Sequence, residues 1–131
     1  MSDFPSASWL ARYKDRVNAD VELAVIGEWL TTTLALTFGE SRYAIELIRG
    51  KIVSIVASPR LDVRIAFGFR APVEVWRKFL SPNPPPLFHD FFAMLMRVPE
   101  FVLEGDSLVA MQNARALHRL MNIMRETGVS A

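Results

Sequence analysis

Runs of alternating residues with very short links between them constrain this chain more tightly than any other feature of it. In "TTTLALTF", Leu34, Leu36 and Phe38 alternate with Thr33, Ala35 and Thr37, and in "YAIELI", Tyr43, Ile45 and Leu47 alternate with Ala44, Glu46 and Ile48. A period of two sends one set to one face of a strand and the other set to the opposite face. "KIVSIVA" is apolar on both faces, which predicts an inner or covered strand. In "DVRIAFGF", Val63, Ile65, Phe67 and Phe69 alternate with Asp62, Arg64, Ala66 and Gly68. The links are "GES", "RG" and "SPR", and Gly39 and Gly50 supply the backbone freedom of tight hairpins. Strands joined this closely run antiparallel, so residues 31–69 predict a four-strand meander.

The apolar face of such a sheet must be covered, and helical patterns on both sides of it supply the cover. After Pro5 and Ser6, the residues Trp9, Leu10, Tyr13 and Val17 fall at helical spacing. Residues 18–20 interrupt this helix, "VELAVIGEWL" continues it, and Gly27 is a plausible end. After the strands, "APVEVWRKFL" has Pro72 where a first helical turn tolerates proline, and Val73, Trp76, Phe79 and Leu80 on its apolar side. "SPNPPP" stops it. In "PPPLFHDFFAMLM", Phe88, Phe91, Phe92, Leu95 and Met96 follow the i, i+3, i+4, i+7, i+8 pattern of an amphipathic helix, with Met94 beside that face and His89 and Asp90 on the exposed side. Pro99 ends it. "EFVLE" reads as a fifth strand, within residues 100–104, and "GD" leads into a closing helix over residues 107–126. Asp106 is a good N-cap for that helix, and Gly105 permits the sharp turn before it.

Two of these helices, the one in the proline-led stretch and the closing one, are apolar around far more than the usual stripe, and they are rich in methionine and phenylalanine. Such surfaces are either a filled core or the wall of an apolar cavity, and methionine suits a surface that must repack around different ligands. Composition leaves both open. At 131 residues and 51% hydrophobic, the chain fits one domain with ample material for a core.

The order of elements adds a resemblance. "YAIELIRGKIVSIV" resembles the central hairpin of the sterol carrier protein family, the small non-specific lipid-transfer fold. "APVEVWRKFL" resembles that family's first helix after the sheet, and "FVLEGDSLVAMQNARALHRLM" its last strand, Gly-Asp turn and closing helix. The likeness covers roughly residues 29–125, with Arg49 where the family often has Asp before the hairpin glycine. It implies an α/β (α+β) fold with a five-stranded, mostly antiparallel sheet, the fifth strand added by a helical crossover. It further implies an apolar tunnel between sheet and later helices, binding sterols, fatty acids or fatty acyl-CoA without chemistry. The residues expected to line that space are Trp76, Phe79, Phe88, Phe91, Phe92 and Leu95 from the two middle helices, and Met111, Leu117, Met121 and Met124 from the closing helix. Phe67 and Phe69 are expected to form its floor.

Other function classes have little to stand on. With no cysteine, thiolate metal sites, disulfides and cysteine nucleophiles are excluded. His89 and His118 are the only side chains suited to acid–base work near neutrality, and neither has the spacing of common zinc motifs or a G-x-S-x-G nucleophile to serve. No cofactor is expected. The polar N-terminus and the lack of a long apolar run suggest a cytoplasmic protein. An accessory module or a homodimer is the rival class, with Trp9, Tyr13 and Trp29 as anchors. "SPNPPPLF" could also touch a bilayer transiently through Leu87 and Phe88. Net charge is only +1, so no nucleic-acid partner is expected. A fluorescence-anisotropy titration with duplex DNA at physiological salt should accordingly show no saturable binding; submicromolar, salt-sensitive binding would contradict that reading.

Overall fold

The computed structural model describes residues 4–60 and 63–128. Ser6 caps α1 (Ala7–Ala19), its hydroxyl accepting from the Trp9 N–H at 3.1 Å. Trp9, Leu10, Tyr13 and Val17 form its buried face, as their spacing predicts. Asp20 ends α1 and at once caps α2 (Val21–Ile26), accepting from the Leu23 N–H at 2.8 Å. Its extended backbone is the dent expected at residues 18–20, and Gly27 ends α2.

β1 (Thr32–Phe38), β2 (Ser41–Ile48) and β3 (Lys51–Ala57) form two antiparallel hairpins. In the β2–β3 link both Arg49 and Gly50 take positive φ, 52° and 77°, the pair of left-handed residues that a two-residue turn needs to follow the twist of its strands. Gly50 has a second reason to be glycine. A Cβ there would lie 2.8 Å from the carbonyl oxygen of Gly27, so the hairpin tip rests directly on the end of α2.

The fourth strand departs from the meander. β4 (Phe67–Ala71) pairs in parallel with β1, Phe67 opposite Leu34 and Ala71 opposite Phe38. β5 (Val102–Gly105) then pairs antiparallel with β4, giving the order β3-β2-β1-β4-β5. Most of "DVRIA" is therefore not strand. It belongs to a crossover from β3 to β4, of which Leu61 and Asp62 lie outside the described residues. The crossover leaves β3 with the Ser58 N–H on the Arg42 carbonyl and arrives with the Ala66 N–H on the Thr33 carbonyl. Val63 and Arg64 lie near Thr33, Ala44 and Glu46 on the sheet face away from the helices. Three strand spacings, about 14 Å, separate β3 from β4, and residues 58–66 are long enough to cover them. Alternation reports that two sides of a segment meet different surroundings. It does not report which strand, if any, receives its N–H groups.

β3 is an edge strand, not an inner one, and Val53 and Val56 are about half exposed. Its apparent two-sidedness has a local cause. Ile52 faces Leu47 and Ser54 faces Glu46, so Val53 is an extra residue in a bulge that shifts the alternation. Asn18 on α1 pairs with the strand there: its Oδ1 accepts from the Ile52 N–H at 2.8 Å and its Nδ2 donates to the Ile52 carbonyl at 3.0 Å. At Ile52 the exposed edge is thus satisfied by a side chain.

The remaining helices are α3 (Val73–Leu80), α4 (Phe91–Arg97), α5 (Ser107–Gln112) and α6 (Ala114–Thr127). α4 starts later than its apolar pattern suggests, because Asp90 caps it by accepting from the Phe92 N–H at 2.8 Å. Phe88, His89 and Asp90 therefore precede the helix. Its buried face is Phe91 and Met94, while Met96 is 83% exposed. The closing helix is two helices. Asn113 turns its side chain back to donate to the Val109 carbonyl at 2.9 Å, and its backbone leaves the helical region. Asparagine competes with the helix for its own backbone groups, which is why the break falls there. Asp106 caps α5 through the Val109 N–H, and Gly105 takes φ of 84° before it, as expected of both.

One polar contact ties the two ends of the chain together. Arg119 on α6 donates from Nε to Asp20 Oδ2 at 3.0 Å and from Nη2 to Oδ1, while its Nη1 reaches Glu126 at 2.8 Å. The Arg119 hydrogen bonds hold the Asp20 carboxyl below the usual carboxylate range, against the opposing effect of its desolvation. Asp20→Asn keeps a cap acceptor and removes the charge, so it should cost about 1–2 kcal/mol at neutral pH, the difference between a charge-assisted and a neutral hydrogen bond. A depressed folded pKa adds stability that is present above the unfolded value of about 3.9 and is lost as pH falls through the folded one. Urea melts of both proteins should therefore converge in acid; a gap that is unchanged below pH 3 would refute the assignment. Gly50→Ala meets both a left-handed backbone and the Gly27 carbonyl, and should lose at least about 1–2 kcal/mol in the same melts. Gly128→Ala, which shares a positive φ (86°) but has open space around its Cβ, isolates the backbone part of that loss.

Candidate ligand site

The twelve residues expected to line a cavity are brought together, with one exception. Trp76 and Phe79 from α3, Phe91 from α4, Leu117, Met121 and Met124 from α6, and Phe67 and Phe69 from β4 are buried in one continuous apolar cluster. Phe88, Phe92 and Leu95 pack against its margin and are partly buried. Met111 sits on α5, ahead of the Asn113 break, and is 40% exposed outside that cluster. The break in the closing helix is what separates it from Leu117 and Met121.

Within the cluster the rings make a connected path. Phe69 meets Phe91 edge-on at 5.6 Å and stacks on Phe101 at 5.8 Å, and Phe101 meets Trp76 at 5.2 Å. Phe91 and Phe92 lie 4.2 Å apart, and Phe92 is parallel to the His118 ring at 6.0 Å. Trp76 satisfies its indole N–H on the Thr37 carbonyl at 2.9 Å, which pins α3 to the central strand.

The margin is held by polar contacts. Residues 81–90, with their four prolines, run from α3 to α4 without joining the sheet. Arg125 on α6 fastens both ends of this strap. Its Nε donates to the Phe79 carbonyl at 2.7 Å, near the end of α3, and its Nη2 donates to the Phe88 and His89 carbonyls, each at 3.0 Å. The guanidinium also lies 4.6 Å from the centre of the Phe79 ring. Burial pulls the Arg125 pKa down, and the charge of Asp90 acts against that. Leu87, beside this anchor, takes φ of 78°, a backbone conformation that a branched side chain rarely adopts.

The polar groups near this margin do not form a catalytic chain. His118 Nε2 lies 3.6 Å from Asp90 Oδ2, and its Nδ1 lies 3.4 Å from Asn122 Nδ2. Asp90 is already committed to capping α4. Among the described residues no three histidine, aspartate or glutamate side chains gather to hold a metal ion, and no helix is long and apolar enough to cross a membrane.

A cleft of about 350 Å³ opens elsewhere, between α1 and the β2–β3 edge, lined by Ala7, Leu10, Ala11 and Lys14 on one side and Tyr43, Ile55 and Ala57 on the other. None of the twelve expected residues takes part in it. Ala7 and Ala11 do recur at i and i+4, with Lys14 at i+7, but such a pattern means nothing until the surface opposite is known. Arg125 was equally hidden, as one of several cations on a helix whose neighbours are distant in sequence.

No family model matches the sequence, and no curated protein matches it. Solved structures do match in fold. A crystal structure of sterol carrier protein 2 superposes with a TM-score of 0.73 at 18% identity, covering 92% of this chain and 96% of that one. A solution structure of a conserved hypothetical protein from Thermus thermophilus, described as possibly a sterol carrier protein, gives 0.74 at 18% identity, covering 99% and 93%. A ubiquinone synthesis protein, UbiJ-SCP2, gives 0.58 at 12% identity, covering 90% and 93%. With its mixed five-stranded sheet and its helical cover, this chain has the sterol carrier protein 2 fold.

Proposed function

We propose that this protein binds and carries an apolar ligand, a sterol, a fatty acid or a fatty acyl-CoA, and performs no chemistry on it. The observation that carries the reading is the construction of the helical layer over β4. α4 is seven residues long, too short to be stable by itself, and pairs with no strand. The proline strap before it is held by side chains, chiefly the Arg125 guanidinium, with His118 near Asp90 and Lys78 over the Phe88 ring. Elements with few backbone ties open at a small fraction of the global stability, so α4 and its strap can lift while the sheet stays formed. What they would uncover is the aromatic and methionine surface of Trp76, Phe79, Met121 and Met124, with Phe67 and Phe69 beneath and Phe91 and Phe92 on the lifted helix itself. Phe88, Leu95 and Leu117 complete that lining. The shared fold with sterol carrier protein 2 supports the same ligand class. The two histidines, with no nucleophile motif in the chain for either to serve and His118 engaged with Asp90 and Asn122, support binding without catalysis.

A second reading, an accessory module that meets another chain, is favoured by one patch. Trp29 is 86% exposed, with Val21 and Val25 also exposed nearby on α2. Trp9 and Tyr13, the other candidate anchors, are fully buried. Large exposed aromatics of this kind are frequent at interfaces. Native mass spectrometry separates the readings: a lipid-sized mass on the chain supports carriage, and a doubled mass without lipid supports association.

Two variants test the opening layer directly. Met121→Trp should fill the space the ligand needs, weakening binding of a fluorescent sterol at least about ten-fold, while the apo protein loses less than the roughly 1–3 kcal/mol typical of an overpacked core. Phe92→Ala should also weaken binding and cost less than the roughly 3–5 kcal/mol of a fully packed phenylalanine. Full core penalties in both melts, with no ligand bound by the wild type, would leave this layer as ordinary core.

A further inference from the structure

We infer that the cleft between α1 and the β2–β3 edge is a preformed site for a single-chain amphiphilic anion, of which a fatty acid carboxylate is the simplest. The inference rests on the reading above that the protein takes apolar ligands, and it gives one of them a place and a headgroup chemistry. That place is distinct from the layer of α3, α4 and α6.

The cleft exists because α1 is clipped at one end and drawn away elsewhere. Asn18 binds the Ile52 backbone and holds the last turns of the helix to β3. Nearer the start of α1, the anchors lie toward other partners: Trp9 meets Phe38, and the Tyr13 hydroxyl donates to the Leu120 carbonyl of α6 at 2.9 Å. The α1 residues that line the cleft are Ala7, Leu10, Ala11 and Lys14, and β3 contributes Ile55 and Ala57 across from them. The methyl groups of Ala7, Ala11 and Ala57, even beside Leu10 and Ile55, leave open a wedge that larger side chains at those three positions would close. The result is about 350 Å³ of open space, at the lower end of the roughly 300–1,000 Å³ of small-molecule sites. A thin acyl chain suits such a wedge better than a rigid fused-ring body.

The lining also selects a charge. Lys14 is the one ionised side chain in it, and no carboxylate lines it. Among the described residues the Lys14 ammonium has no ion-pair partner, and the Tyr43 hydroxyl has no hydrogen bond. An ammonium and a phenol are both donors to an anionic oxygen, and such charge-assisted bonds are the stronger kind. The aliphatic side chains of Leu10 and Ile55 and the ring of Tyr43 offer the apolar surface that a hydrocarbon tail needs. A neutral ester of the same chain keeps the tail contact and loses the attraction to Lys14.

The test is a set of titrations of the full chain with a dansyl-labelled fatty acid and with its methyl ester. Ala11 is exposed, so Ala11→Phe fills the cleft from the solvent side without disturbing the core; it should weaken binding of the acid about ten-fold or more, with an unchanged melting temperature. Lys14→Met should weaken the acid about ten-fold and leave the ester within about two-fold, as loss of a charge-assisted contact predicts. Lys14→Arg should restore most of the affinity for the acid. If wild type binds the acid and its affinity follows Met121→Trp while ignoring Ala11→Phe and Lys14→Met, the cleft inference fails and lipid carriage stands. Absence of any binding by wild type, to sterol and to fatty acid alike, overturns both.

Discussion

The packing of this protein turns on Phe38, the last residue of β1. β1 lies between β2 and β4, and Leu34, Ala35 and Leu36 are fully buried along it. At its end the Phe38 ring meets Phe4 at 4.8 Å, Trp76 at 4.9 Å, Tyr43 at 5.9 Å and Trp9 at 6.2 Å. The N-terminal helix and α3 are thus anchored on one ring, and the path continues from Trp76 through Phe101 and Phe69 to Phe91. Edge-on aromatic pairs are worth about 0.5–1.5 kcal/mol each beyond their area, so a connected series is a large part of a domain's net stability. The parallel pairing of β4 with β1 serves this path. In a meander β4 would lie beyond β3, about 14 Å from β1, and Phe69 could not join the rings over it.

The cover on the sheet is held differently from the sheet itself. Among the described residues no helix pairs with a strand through backbone hydrogen bonds, so each is located by apolar contact and a few side-chain fasteners. Asn18 joins α1 to β3, Arg119 joins α6 to Asp20, and Arg125 joins α6 to the ends of the proline strap. Tyr13, whose burial pushes its phenol pKa up and keeps it a neutral donor, joins α1 to α6. The regions between fasteners are where the structure has room to change. One is the strap and α4; the other is the wedge beside α1, which is already open. The proposed carriage of an apolar ligand rests on such places, because a core closed on all sides has no way in.

Much of this arrangement was legible residue by residue. Trp9, Leu10, Tyr13 and Val17 bury together because helical spacing alone puts them on one face, and Asp20, Gly27, Gly50, Gly105 and Asp106 do what local backbone chemistry asks of them. Other features were misleading for reasons that are also physical. A bulge at Val53 made an edge strand look covered on both sides. Alternation in a crossover made it look like strand. Asn113 and Asp90 each moved a helix boundary, because a side chain competed for backbone groups that the apolar pattern had assigned to the helix. Met111 lost its place beside Leu117 and Met121 through that same break.

The sequence by itself determined the elements, their approximate faces and the apolar character of the helical layer, since periodicity, capping and turn chemistry act over a few residues. It also carried the likeness to the sterol carrier protein fold through the order of those elements. Only the tertiary structure decided that β4 lies beside β1, that Arg125 gathers three carbonyls from two segments, and that Lys14 and Tyr43 share a cleft. Each of these joins residues far apart in the chain, and no local rule says which distant surfaces will meet. That is settled by which packing buries the most apolar area while leaving no backbone group unpaired.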